Sequence, residues 1–346
     1  GLGRWPMSAE PLFSVVIPCF NSEEYLEECL DSVVSQTFGD WEIVAVDDGS
    51  TDGTAAILAD ALASLEGRMR VVSQGNSGLL LARRAGLRAA RGKYVAFLDS
   101  DDAFRRDALE TVASATGGRR PPLVQFCLTR REGFEPEGPS TLGRAGLSGR
   151  REASPSDFRM AVCQGTALNN LCGKVIRRDV CGIERDYSVY RGVKNGEDLL
   201  QLVEVLARLD GPVSLIDEPL YFYRQNPRSI THTWQRGFYA SVRAANLELR
   251  MAASKWGRSF VDECDRRLLR SVYASVTNAA TGGLLLGELI STIREMGEDG
   301  FFRDAYRLVG TAGFPRKQRV VLGALWARAY VSLALSLRAA GGVRGR

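Results

Sequence analysis

Apolar and polar positions follow two rhythms along this chain. Short, largely apolar runs at 13–18, 41–46, 69–73 and 94–98 are rich in β-branched and aromatic residues, and stretches with apolar residues three and four apart separate them at 23–35, 54–65 and 77–90. These runs suit buried strands, and the intervening spacing is helical. Strand and helix in turn predict βαβ units, right-handed crossovers and an α/β fold with a mostly parallel sheet covered by helices on both faces. Pro18 closes the first run, and Asn21 and Ser22 offer caps to the helix that follows.

Beyond these units the pattern loosens. A helix at 105–115 and a strand at 123–128 precede residues 130–156, which are rich in Gly, Pro, Arg and Glu without periodicity and read as a long loop or irregular hairpin. A short strand at 173–176, a helix at 199–209 opened by Asn195-Gly196-Glu197-Asp198, and strands at 213–216 and 220–223 come next. From Gln235 on the chain is helical in character, with breaks near Gly282 and Gly310. The expected organisation is a leader or expression remnant at 1–12, an α/β domain at 13–233 that divides into halves at 13–102 and 103–233, and a helical region at 234–346.

What ends the strands matters most. The run 94–98 stops in Asp99-Ser100-Asp101-Asp102, and the run 41–46 stops in Asp47-Asp48-Gly49-Ser50-Thr51-Asp52. Carboxylates gathered at one corner raise each other's pKa unless a cation sits among them, and Mg²⁺ or Mn²⁺, which takes one or two carboxylates and fills its shell with water and phosphate oxygens, would resolve the repulsion. An acidic turn capping a helix is the ordinary alternative. In open α/β sheets ligands gather outside the carboxyl ends of the strands, where Pro18, Asp47, Asp48, Asp99 and Asp101 all fall. No Gly-x-Gly-x-x-Gly follows the first strand and no phosphate-loop lysine motif occurs.

Composition narrows the classes further. The net charge of +4 is small and mixed along the chain, so nucleic acid is not an expected partner. Seven cysteines form no Cys-x-x-Cys pair, which argues for a reducing, cytoplasmic setting. The single histidine, His232, excludes multi-histidine zinc sites.

Taken together, Val15-Val16-Ile17-Pro18, Val46-Asp47-Asp48-Gly49, Leu98-Asp99-Ser100-Asp101 and Gly196-Glu197-Asp198, in this order, resemble the family-2 glycosyltransferases, inverting enzymes of the GT-A fold. The resemblance covers roughly 13–232 and implies a metal-dependent transfer of a sugar from a nucleotide-diphosphate donor, most often a UDP-sugar, to a glycan or lipid-linked glycan hydroxyl; it makes 13–233 the catalytic domain, with a nucleotide-binding half, 13–102, and an acceptor-binding half, 103–233. It implies that Pro18 and Asp48 lie against base and ribose, that Arg83 stands near the donor phosphates, and that Asp101 ligates Mn²⁺ or Mg²⁺ with Asp99 at the ribose or the metal's water shell. Asp198 matches the general base, with Glu197 beside it positioning the acceptor. Lys174 matches a lysine of the acceptor half, His232 a further metal ligand found in some members, and Trp234 a stacking surface for sugar. Arg84 stands where most members carry Asn. A nucleotidyltransferase on a related fold and a non-catalytic nucleotide-sugar or glycan-binding protein are the rivals. The first should carry a glycine-rich basic loop after the first strand, and Pro18-Cys19-Phe20-Asn21-Ser22 is not one.

The last helix expected, 320–337, is apolar nearly all round and bracketed by Arg316, Lys317, Arg319, Arg338, Arg344 and Arg346. Such a segment either packs, on the catalytic domain or on a second copy in a homodimer, or touches an anionic membrane surface, a peripheral placement that suits a lipid-linked acceptor.

Overall fold

The computed structural model describes residues 10–225 and 237–342, so His232 and Trp234 lie outside the described residues. Two compact units divide them. The first runs to Val162 and resumes at Thr166 as far as 225; the second takes Cys163–Gly165 and the residues from 237 on.

In the first unit β1 (Phe13–Cys19), α1 (Leu26–Val34), β2 (Trp41–Asp47), α2 (Thr54–Ser64), β3 (Met69–Ser73), α3 (Leu79–Ala89) and β4 (Tyr94–Phe97) alternate as expected. They are followed by β5 (Ala103–Phe104), α4 (Ala108–Thr116), β6 (Leu123–Thr129), α5 (Thr141–Arg144), β7 (Glu152–Ala153), α6 (Pro155–Gln164), β8 (Lys174–Arg177), α7 (Glu197–Arg208) and β9 (Val213–Phe222). Every residue of β1 and β4 is buried, which is why their sequences are apolar without alternation. The sheet order is β3-β2-β1-β4-β8-β6-β9-β5, with β7 on β9. Pairing is parallel from β3 to β4 and between β6 and β9, and antiparallel where β8 enters between β4 and β6.

Register fixes where the strands end. Cys19 stands opposite Asp47, Asp47 opposite Ser73, and Val16 opposite Phe97. The carboxyl ends of β1, β2, β3 and β4 therefore finish along one edge of the sheet. Helix α3 is laid close against β1 and β2 at Gly86, where a methyl group would fall 2.4 Å from Val16 Cγ1 and 3.1 Å from Val46 Cγ2. That closeness sets the depth of the residue one turn earlier, Arg83.

The second unit consists of α8 (Phe238–Ala253), α9 (Arg258–Thr281), α10 (Leu286–Glu298), α11 (Gly300–Val309), α12 (Arg316–Trp326) and α13 (Tyr330–Gly342). Its core forms where Leu268, Leu269, Val272 and Val276 of α9 meet Ile293, Phe302, Leu322 and Leu325.

Four expectations change. The segment 320–337 is two helices, α12 and α13, broken where Arg328 takes a left-handed φ of 59°. Leu322, Leu325, Leu333 and Ala334 are buried in this unit's own core, while Val320, Val331 and Leu335 are exposed. Among the described residues no helix is long and apolar enough to cross a membrane. The stretch 130–156 holds α5 and β7, and α6, which the sequence reading omitted, follows at once. Strands read at 213–216 and 220–223 are one strand, β9, carried past Asp217-Glu218-Pro219 by register shifts against β6 at Cys127.

Candidate active site

The turn after β4 is held from beneath by the end of β9. Asp102 is buried; its Oδ2 accepts a hydrogen bond from Tyr221 Oη at 2.5 Å and its Oδ1 one from the Arg224 backbone N–H at 2.8 Å. The same Tyr221 oxygen accepts from the Asp99 N–H at 3.1 Å, and Arg224 Nε donates to the Asp101 carbonyl at 2.8 Å. Asp102 thus fastens the corner. Burial pushes its carboxyl up to about 8, with the neighbouring charges of Asp99 and Asp101 adding to the rise.

Asp198 arrives from the other half of the unit. Gly196, with a φ of 89° that glycine adopts readily, turns the chain so that Glu197 and Asp198 open α7 at the end where its dipole favours acids. Arg83 meets Asp198 from α3. Its Nη1 donates to Asp198 Oδ1 and its Nη2 to Asp99 Oδ1 at 2.7 Å. The arginine side chain is 1% exposed, whereas Asp99 and Asp198 are each 23% exposed. The cation lies under two carboxylates that keep an open face. Burial raises the Asp198 carboxyl above its ordinary range against the pull of Arg83, the direction that suits a proton acceptor at neutral pH. Cys172, whose thiol burial keeps protonated, donates to Asp99 Oδ2 at 3.1 Å. Glu197 Oε2 is buried with no hydrogen-bond partner among the described residues, and burial followed by Asp198 pushes this carboxyl up to about 7.

Other expected site residues face different work. Asp48 is 3% exposed: its Oδ1 accepts from Gln74 Nε2 at 2.7 Å and the Ser77 N–H at 2.8 Å, and its Oδ2 from the Gly78 N–H at 2.8 Å. It therefore anchors the entry to α3. Asp47 stabilises its own turn through the Ser50 N–H at 2.9 Å. Pro18 is buried in β1 opposite Val46. The loop after β1 joins the two acidic corners, with the Asn21 N–H on Ser50 Oγ at 3.1 Å and Ser22 Oγ 2.7 Å from Ser100 Oγ. Lys174 is fully buried, its ammonium on the carbonyls of Leu168 and Asn170, and burial pushes it down to about 7. Arg84 holds the loop after β8 through the carbonyls of Cys181, Gly182 and Ile183 and lies over the Tyr187 ring at 4.8 Å.

Cys172 is a contributor that the motifs did not single out. Nothing in a single sequence marks a cysteine before Gly173 as a neighbour of Asp99.

Among the described residues no cluster of three or more His, Cys, Asp or Glu side chains is arranged to hold a metal ion. The chemistry of the corner nonetheless fits a hard cation, because Asp99, Asp101 and Asp102 bring three carboxylates to one turn after β4. Asp102 is hydrogen-bonded to Tyr221 and Arg224, and Asp99 to Arg83 and Cys172; Asp101, on the same turn, is the residue that the family resemblance implies would hold such an ion through one carboxylate.

Comparison with known proteins bears on this geometry. Residues 14–177, which include Asp48, Arg83, Asp99 and Asp101, match the model described as Glycosyl transferase family 2. The chain carries a family 2 glycosyltransferase domain. Across most of its length the chain is 29% identical to EpsH of Bacillus subtilis (strain 168), a glycosyltransferase by name, over 322 residues covering 90% of each protein. Over 102 residues, 29% of this chain and 40% of the other, it is 45% identical to TuaG of the same organism, named for teichuronic acid biosynthesis. Among solved structures, S. aureus TarS 1–349 in complex with UDP-GlcNAc superposes with a TM-score of 0.71 at 20% identity, covering 94% of this chain and 90% of that one. This likeness extends the glycosyltransferase resemblance to the fold, a GT-A-like mixed sheet with helices and a C-terminal helical region.

Proposed function

We propose that this glycosyltransferase moves a sugar from a UDP-sugar to a glycan hydroxyl, on a soluble or lipid-linked acceptor, with inversion at the anomeric carbon. The observation that carries the reading is the meeting of Asp99, at the end of β4, with Asp198, at the start of α7, on a single buried guanidinium. A donor-side acid and a proton acceptor 99 residues apart in the chain thus sit on one cation, which supports displacement at a sugar held between them.

Asp198 Oδ1 is engaged by Arg83, so Oδ2 is the oxygen that takes the proton from the acceptor hydroxyl as it attacks. Asp101 would hold Mn²⁺ or Mg²⁺, which when bound offsets the negative charge that builds on the departing diphosphate. Asp102, Tyr221 and Arg224 keep Asp101 in place through the hydrogen bonds of the corner. Asp48 shapes the wall for the base by fixing Ser77 and Gly78, and contacts the base itself only by exchanging one of its present partners. Support for UDP comes from TarS, solved with UDP-GlcNAc, and support for a surface-polysaccharide acceptor comes from the name of TuaG.

Thermal melting with a panel of nucleotide sugars, with and without Mn²⁺, tests the donor. A UDP-sugar should raise the melting temperature, and Mn²⁺ should enlarge the rise. Stabilisation by a different nucleotide class, or a product that retains the donor's anomeric configuration, contradicts the proposal.

A further inference from the structure

Arg83 is placed by the resemblance near the donor phosphates, and its surroundings argue for a different task. Both Nη atoms are spent on carboxylates, and Nε is buried without a hydrogen-bond partner. The side chain enters from beneath, fixed by the close approach of α3 to β1 and β2 at Gly86. Only the two carboxylates above it open to solvent. To reach a diphosphate the guanidinium would have to leave two anions, each partly buried, with Asp99 kept only by the Cys172 thiol. Removing one partner of an ion pair at this depth leaves the other charge uncompensated, which opposes such a move.

A guanidinium is flat and its donors are rigidly spaced. One guanidinium that grips Asp198 Oδ1 and Asp99 Oδ1 therefore sets the separation of those two oxygens. If Asp198 accepts the acceptor's proton and Asp99 faces the donor, that separation is the distance over which acceptor and donor are aligned, and misalignment by about 1 Å costs on the order of a hundredfold in rate. Resting on the proposed function, we infer that Arg83 is a positioning residue: it gauges the spacing between the proton acceptor and the donor-side carboxylate and makes no contact with the donor. A lysine at this position keeps the charge and loses the two-pronged gauge.

The test compares Arg83→Lys, Asp198→Asn and the double variant in the full chain, reading turnover at saturating UDP-sugar and UDP affinity by calorimetry. Arg83→Lys should lose about a hundredfold in kcat with UDP affinity within about threefold of wild type. The double variant should be no slower than Asp198→Asn alone, since Arg83 acts through Asp198. Loss of UDP affinity with kcat retained would make Arg83 a phosphate contact and overturn the inference, as would multiplying losses in the double variant. Wild-type turnover by Arg83→Lys with Asp198→Asn inactive would sink the inference alone, whereas an active Asp198→Asn would sink the proposed function and the inference with it. A crystal structure of the unmodified protein with UDP needs no variant. The guanidinium should remain on Asp99 and Asp198, and an Arg83 nitrogen on a phosphate oxygen would refute the proposal.

Discussion

Buried charge is treated in opposite ways in the helical unit and at the candidate site of the sheet unit. In the helical unit Asp265, fully buried, receives Arg250 through Nε at 2.6 Å and Nη2 at 3.4 Å, and Asp299 receives Arg243, Tyr239 and the N–H of Phe301. Each acid there is closed off by donors. The same holds within the sheet unit at Glu42, which Ser14 and Arg91 surround and hold below the usual carboxylate range. At the candidate site Asp99 and Asp198 cover their cation and keep open faces, while burial, with neighbouring carboxylates adding to it, pushes Asp102 and Glu197 upward. Closed charge secures a fold, and open charge at a strand edge is available to a ligand.

The largest expected effect lies on the open side. Asp101→Ala should cut metal-stimulated turnover by about a thousandfold, equivalent to several kcal/mol in the barrier, while the melting temperature changes little. Activity that persists unchanged in a chelator would remove the distinction between the two kinds of acid. On the closed side, Asp265→Ala should cost about 2–4 kcal/mol of stability by urea titration, discounted because Arg250 is partly exposed, with turnover per folded molecule unchanged. A loss of turnover without a loss of stability would reverse the assignment of roles.

Glu197 supplies the smallest effect and the clearest pH signature. Its folded pKa of about 7 lies above the ordinary value of 4.5, so the folded state binds the extra proton, and stability falls as pH rises from about 4.5 to about 7. Glu197→Gln should flatten that fall and leave the variant about 1–2 kcal/mol more stable than wild type above pH 8. A wild-type stability that climbs across this window would contradict the open-charge reading at Glu197.

How much of this was legible in the sequence depended on how local the cause was. Strands β1, β2 and β4 were readable because burial on both faces calls for largely apolar runs, and β3, at the edge of the sheet, begins and ends at Met69 and Ser73 as expected. Helix α6 was missed although Ser154 and Pro155 signal a helix start, Ser154 Oγ taking the Asp157 N–H at 3.1 Å. The irregular composition around it masked that signal. Asp217-Glu218-Pro219 looks like a turn and is carried inside β9 by a bulge against β6, a choice made by the partner strand. Arg328 breaks the last apolar segment with a left-handed φ where no glycine advertises a stop. At the site, motif order found Asp99, Asp101 and Asp198. Sequence alone gave no means to see that Arg83 would lie beneath two of them, because its depth depends on how closely α3 approaches the sheet at Gly86.

Turnover and UDP affinity of Asp198→Asn, measured on the same preparation, test most directly the claim that Asp198 and the β4 corner form one catalytic site. The account predicts at least about a hundredfold loss of turnover with UDP affinity within about twofold of wild type. Turnover at the wild-type rate would contradict it.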